Sequence, residues 1–242
     1  MQPNKRKALV EMKLGIMQPY FLPYIGYFQL LNAVDKYIIY DNIQYTKKGW
    51  INRNRMLQND KDVLFSIPLE KDSDYLDIKN RKVVNNFDKK KLLNQIKGAY
   101  QKASQFKMVF PLIEGIINYD NDNLFEYIFN SVKTVSKYLE IDTEIVISSS
   151  IDIDHTLKGQ DKVIAFCKKV GVSDYINAIG GQELYTKSDF EKENINLHFL
   201  STDKIEYKQY TNEFIANLSI LDVMMFNSTD EIKRMLNEYT LI

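Results

Sequence analysis

The chain has 242 residues, 45% of them apolar, with 32 Lys+Arg balanced by 32 Asp+Glu. That is enough apolar material for one large domain or two small ones, which argues against disorder as the main state, and the zero balance gives no footprint for nucleic acid or an anionic membrane. No apolar run approaches the ~20 residues of a membrane span, no signal peptide is expected, and a single cysteine, Cys167, allows no internal disulfide and fits a reducing, cytoplasmic setting.

Residues 1–11 are polar and precede a second methionine, Met12, so they read as a flexible lead before one domain over 12–242. The apolar run Leu14 to Met17 reads as a strand that enters a turn holding Gln18, Pro19 and Pro23. A helix is expected from near Ile25 to near Val34, then a second strand over Lys36 to Tyr40. A polar loop, Asp41 to Leu57, follows, and Val63 to Leu69 reads as a buried strand. Tyr75 to Val84 alternates polar and apolar residues like an exposed strand. Helical spacing covers Asp88 to Lys102 and Asn123 to Leu139, with Pro111 placed where a new helix begins. Thr143 to Ile147 is a strand ended by Ser148, Ser149 and Ser150. Then come a helix over Asp161 to Val170, a strand over Asp174 to Ala178 and a short turn over Phe190 to Glu193. A strand over Asn196 to Leu200 and a last helix over Glu231 to Tyr239 complete the order. Strands separated by helices imply βαβ crossovers: an α/β fold, mainly parallel, with helices on both faces and a small helical region inserted or appended.

In such sheets ligands bind outside the carboxyl ends of the strands, so the residues just after each strand are the candidates. After the first strand these are Gln18, Pro19, Tyr24 and Tyr27. In layout this strand, turn and helix resemble the first unit of nucleotidyltransferases and pantothenate synthetase-like amide ligases, whose His-x-Gly-His tetrad meets phosphates at a helix start. Here the tetrad reads Tyr24-Ile25-Gly26-Tyr27, and a neutral phenol offers no imidazolium. After the second strand, Asp41 can act as a general base, or alternatively cap the turn through backbone amides. Lys47 and Lys48 suit phosphates as point charges, while Arg53 suits a bidentate anion and Trp50 a ring. Gln44, Asn52 and Asn54 add donors and acceptors, and Arg55 adds charge. Asn52 and Arg53 join Asp41 as catalytic candidates. Ser149, Ser150, Gly180 and Gln182 follow later strands and suit pocket lining, whereas a Ser/His155 nucleophile pair is weaker than a strand-end turn. Cys167 lies on an apolar stripe and His198 sits mid-strand, both in structural positions; with two His and one Cys no metal site is expected.

The stretch MQPYFLPYIGYFQLLNAVDKYIIYDNIQYTKKGWINRNRM resembles the opening signature of the WbqC-like family. The resemblance continues through FSIPLEK, the Ser148–Ser150 run, YINAIGGQELY and FIANLSILDVMMFN. Asn42 stands where the family pattern often has a second Asp, which weakens any paired-carboxylate mechanism here. What the resemblance implies is a cytoplasmic bacterial enzyme of O-antigen or other surface-polysaccharide assembly, acting on an activated sugar. One expected reaction is transfer of an acyl or aminoacyl group from a donor onto a nucleotide-linked amino sugar; the sequence identifies no cofactor. An alternative is a nucleotidyltransferase-like enzyme or ATP-dependent amide ligase. Another is a non-catalytic binding or scaffold protein of the biosynthetic complex. The expected partner is a nucleotide sugar, with no membrane insertion; a homo-oligomer is left open.

Overall fold

In the computed structural model, which describes residues 12–73, 75–210 and 213–242, strand Lys13–Met17 (β1) is the pivot of a six-stranded sheet. Helix Ile25–Asn32 (α1) leads to Lys36–Ile39 (β2), which pairs in parallel with β1 on one side. Glu144–Ile147 (β5) extends the sheet beyond β2, again in parallel. Asp174–Ala178 (β6) pairs in parallel with the other side of β1, and Asn196–Thr202 (β7) with β6. The order is β5-β2-β1-β6-β7-β8, so the direction of winding changes between β1 and β6. The expected mainly parallel α/β sheet is therefore present. Its one antiparallel member is the edge strand Tyr239–Leu241 (β8), paired with β7.

Strand alternation sends successive side chains to opposite faces, and each face meets helices. Tyr37 and Ile39 face α1 and the larger core, while Leu14, Ile16 and Ile38 face helix Gly159–Val170 (α5) through Val163, Phe166 and Cys167. Gly15 gives the Tyr37 ring its room, since a Cβ there would lie 3.1 Å from the ring, close enough to push it aside by a few tenths of an ångström. Each fully buried Leu, Ile or Phe contributes roughly 1.5–3 kcal/mol, and burial raises the Cys167 thiol to about 12, as suits an inert core position.

Six expectations are corrected. Arg53–Gln58 (β3) and Lys61–Ser66 (β4) form an antiparallel hairpin in a sheet of their own, so the polar segment is not all loop and Val63–Leu69 is not a buried strand. Asn59 and Asp60 cause this, both with positive φ (51° and 61°), the geometry of a two-residue hairpin turn. Residues 75–84 form isolated bridges and a short 3₁₀ turn, Ile78–Asn80, rather than a strand. Pro111 lies inside helix Phe106–Ile117 (α3), which packs through Val109, Ile113, Ile116 and Ile117 strongly enough to continue past it. The Phe190 turn is a short helix, Lys187–Glu191 (α6). The last helix is Thr229–Met235 (α8), set by a Ser228/Glu231 capping box, and the chain beyond it turns back into β8. The expected flexible lead lies outside the described residues.

Between the hairpin and β5 sits the inserted helical region: Lys89–Tyr100 (α2), α3 and Leu124–Tyr138 (α4), the first and last capped by Asp88 and Asn123. Helix Ile220–Phe226 (α7) ties this region to the hairpin through a buried carboxylate. Asp222 accepts hydrogen bonds from Tyr100 (2.7 Å), Tyr207 (2.6 Å) and Gln209 (2.8 Å), and the Tyr100 hydroxyl accepts from the Leu57 amide (2.9 Å). No cation faces it among these contacts, so burial pushes its carboxyl above the ordinary value.

Candidate functional site

Outside the carboxyl ends of β1 and β6, where the winding direction changes, lies a cleft of about 380 Å³. Gln18, Tyr20, Tyr24 and Tyr27 line it from the β1–α1 side, Tyr40 from the end of β2, and Asn177, Gly180 and Tyr185 from the β6 side. No side chain that lines it carries a formal charge at neutral pH. Burial raises the Tyr20, Tyr24, Tyr27, Tyr40 and Tyr185 phenols, so they are neutral donors and acceptors. The buried Tyr27 and Tyr37 hydroxyls face each other, and that of Tyr175 faces Tyr185.

The turn that delivers Tyr20 and Tyr24 is strained. Leu22 has φ 43°, unusual for a bulky side chain, and is held there from several sides. Its carbonyl accepts from Asn54 Nδ2 (2.8 Å) and Ser219 Oγ (2.6 Å), the Phe21 amide donates to the Ile51 carbonyl (2.9 Å), and the Ile220 amide donates to the Pro23 carbonyl (2.7 Å). Pro19 is buried beneath this turn. The Tyr24 ring lies flat on the start of α1, where a Cβ on Gly26 would come within 2.4 Å of it.

One strand over, at the ends of β2 and β5, Asp41 is 4% exposed and fully engaged. Its Oδ1 accepts from Ser148 Oγ (2.8 Å) and the Ser149 amide (2.9 Å), its Oδ2 accepts from Ser149 Oγ (2.6 Å), and Lys79 Nζ lies 3.9 Å away. Ser148 Oγ also lies 2.6 Å from Asn42 Oδ1, and Asn42 Nδ2 is 2.9 Å from His155 Nδ1. Ser150 turns away to bond the Ile147 carbonyl (2.7 Å). Beside them Lys162, 7% exposed, reaches the His155 carbonyl (3.3 Å) and lies 5.7 Å from the centre of the Tyr40 ring. Burial lowers its ammonium pKa against the pull of Asp77 and Asp41.

The remaining loop residues are spread out. Asn52 is buried, donating to the Ile67 carbonyl (2.7 Å) and accepting from the Tyr45 hydroxyl (2.8 Å). Arg53 donates to the Gly49 carbonyl (2.9 Å) and the Lys48 carbonyl. Gln44, Lys47, Lys48 and Gln182 are exposed. Trp50 and Asn54 line a separate cavity of about 300 Å³ with Tyr20, Pro23, Tyr24, Arg55 and Asn217. Thus the cleft gathers Gln18, Tyr24, Tyr27 and Gly180, the second cavity gathers Trp50 and Asn54, and Asp41, Ser149 and Asn52 stand in neither. Tyr20, Tyr40, Asn177, Tyr185 and Lys162 were not singled out from the sequence. Tyr40 and Asn177 carried a signal, since each stands at the carboxyl end of a core strand.

The fold and its cleft define a class: an α/β protein with a neutral, tyrosine-lined cleft at the switch point of a mainly parallel sheet. The sequence profile of the WbqC-like protein family matches residues 18–234, nearly the whole chain, and the chain belongs to that family. It is also similar to the uncharacterized protein Rv1507c of Mycobacterium tuberculosis, 24% identical over 218 residues that cover 89% of this chain and 93% of the relative. No solved structure matches the chain. Among the described residues no helix is long and apolar enough to cross a membrane, and no cluster of His, Cys, Asp and Glu has the grouping to hold a metal ion.

Proposed function

We propose that this chain is a transferase of surface-polysaccharide assembly, placing an acyl or aminoacyl group on the amino nitrogen of a nucleotide-linked amino sugar. The observation that carries the reading is the switch-point cleft. An amino sugar presents hydroxyls, an amine and flat apolar ring faces; the cleft presents phenol rings, phenol hydroxyls and the amides of Gln18 and Asn177. In the reaction the amine attacks the carbonyl carbon of an activated ester or thioester donor. A C–N bond forms, the C–O or C–S bond breaks, and the amine proton leaves with the departing group. Asp41 enters this reading as the carboxylate that locks the ends of β2 and β5, since three donors already occupy it. Asn52 and Arg53 enter as residues that fix the Trp50 loop.

A second reading has one observation in its favour: the cleft is lined by neutral groups only, with no carboxylate or imidazole to take a proton. It makes the chain a nucleotide-sugar-binding component without turnover. Mass spectrometry after incubation with UDP- and dTDP-linked amino sugars and acyl or aminoacyl donors separates the two. A sugar nucleotide heavier by one acyl unit supports the transferase. Tight binding without any product supports the binding protein.

A further inference from the structure

The indole of Trp50 is 43% exposed yet immobilised. The guanidinium carbons of Arg53 and Arg55 lie 5.7 and 5.5 Å from its ring centre. Both cations are themselves anchored: Arg53 on the backbone of Gly49 and Lys48, Arg55 on Asp62 (2.8 Å) and on the Asn217 carbonyl (3.3 Å). The two guanidinium groups back the ring, and the part of the indole that stays exposed is a pre-ordered stacking surface.

The cavity that Trp50 walls stands back to back with the cleft. Tyr20 and Tyr24 line both, so two phenol rings form the partition. The Tyr24 atoms nearest Gly26 are the far end of its ring, which can turn aside. At the rim of the Trp50 cavity stands Asn217, in the left-handed region at φ 57°. Its carbonyl is used by Arg55, and its side-chain amide has no partner among the described residues. A free amide supplies one donor pair and one acceptor, the pattern that reads the edge of a planar heterocycle.

We infer that the Trp50 cavity is the subsite for the nucleobase of a nucleoside diphosphate, with the diphosphate crossing the Tyr20–Tyr24 partition and the sugar seated in the cleft. This rests on the nucleotide-sugar reading above. A planar base stacks on the open indole, and Asn217 meets its edge. A simple acyl chain would use neither the amide nor the stacking face. A small inorganic anion would find both outer nitrogens of Arg55, and Nη2 of Arg53, already engaged.

Trp50 is the only tryptophan in the chain, so intrinsic fluorescence reports on this cavity alone. The protein is titrated with UDP, dTDP and GDP, with pyrophosphate, glucosamine 1-phosphate and octanoate as controls. At least one nucleoside diphosphate should change the indole emission saturably, and the controls should not. In calorimetry Trp50→Leu should weaken that nucleotide about tenfold or more, the loss expected for one base–aromatic stack. It should leave glucosamine 1-phosphate binding unchanged. Asn217→Ala should reduce the discrimination among the three bases. A nucleotide sugar that binds equally well to Trp50→Leu, without altering the wild-type indole, overturns the base subsite and leaves the cleft reading standing. Saturable change with octanoate alone also overturns it. Failure of every nucleotide and nucleotide sugar to bind overturns both.

Discussion

Two regions at the carboxyl edge of the same sheet differ in how their polar groups are used. Around Asp41 every strong donor meets an acceptor: two serines, a backbone amide and a lysine converge on one buried carboxylate. Around the cleft the polar groups are phenols rather than charges, with Tyr27 facing Tyr37 behind the wall and a strained turn at Leu22 holding Tyr20 and Tyr24 in place. The difference shows that a high density of ionisable residues can go into mutual contacts, as at Asp41, while a neutral aromatic surface stays open as a cleft.

The largest effect should come from breaking the satisfied region. Asp41→Ala leaves Ser148 Oγ, Ser149 N and Ser149 Oγ without their acceptor, and urea unfolding should show a loss of roughly 2–4 kcal/mol. A loss below about 0.5 kcal/mol would mean that the network contributes little. Asp222 tests the same idea by pH. Its folded pKa lies above its ordinary 3.8 because of burial, so the folded state binds the proton more tightly than the unfolded chain does. The stabilisation this gives is fully present below about pH 4 and is lost as pH rises through the folded value. Asp222→Asn removes that slope. The stability gap between wild type and variant should therefore shift in the variant's favour from about pH 4 upward, followed by urea midpoints across the range.

The open region should respond in binding rather than in stability. Gly26→Ala improves helix propensity by about 1 kcal/mol but drives a methyl against the Tyr24 ring. The melting temperature should hardly move, while affinity for a nucleotide sugar, measured by calorimetry, changes about tenfold as Tyr24 is displaced. Unchanged affinity would remove Tyr24 from the wall that matters. The smallest effect belongs to the hairpin. Asp60 sits at φ 61°, so Asp60→Gly should stabilise by at most about 1 kcal/mol in denaturant titration, the relief of the left-handed backbone less the greater freedom of Gly in the unfolded chain, without touching either region.

The sheet was legible because its strands are short apolar runs bounded by helices, and the alternation of Leu14, Gly15 and Ile16 or of Tyr37 and Ile38 is what two covered faces demand. The hairpin was not, because Asn59-Asp60 lies between strands whose outward residues are charged, which reads as loop. Pro111 misled because a local penalty was weighed without the tertiary packing of α3. Of the residues that line the cleft, Gln18, Tyr24, Tyr27 and Gly180 were legible as residues beyond strand ends. Tyr185 and Lys162 were not, since each reaches its place through tertiary contacts: Tyr185 stacks edge-on against Tyr175, and Lys162 lies under Tyr40. Asp41 and Arg53 drew attention by charge, and nothing local revealed that serines 107 and 108 residues away and the loop's own carbonyls would engage them.

The central claim, that the sugar is held by the neutral cleft and not by the exposed lysines of the loop, is tested most directly by calorimetric titration of a UDP-linked amino sugar into two variants. Tyr185→Phe deletes one hydroxyl from the cleft; Lys48→Ala deletes one exposed charge from the loop. The account predicts affinity lower by about fivefold to tenfold in Tyr185→Phe, the worth of one hydrogen bond, and unchanged in Lys48→Ala. A normal Tyr185→Phe beside a weakened Lys48→Ala would contradict it.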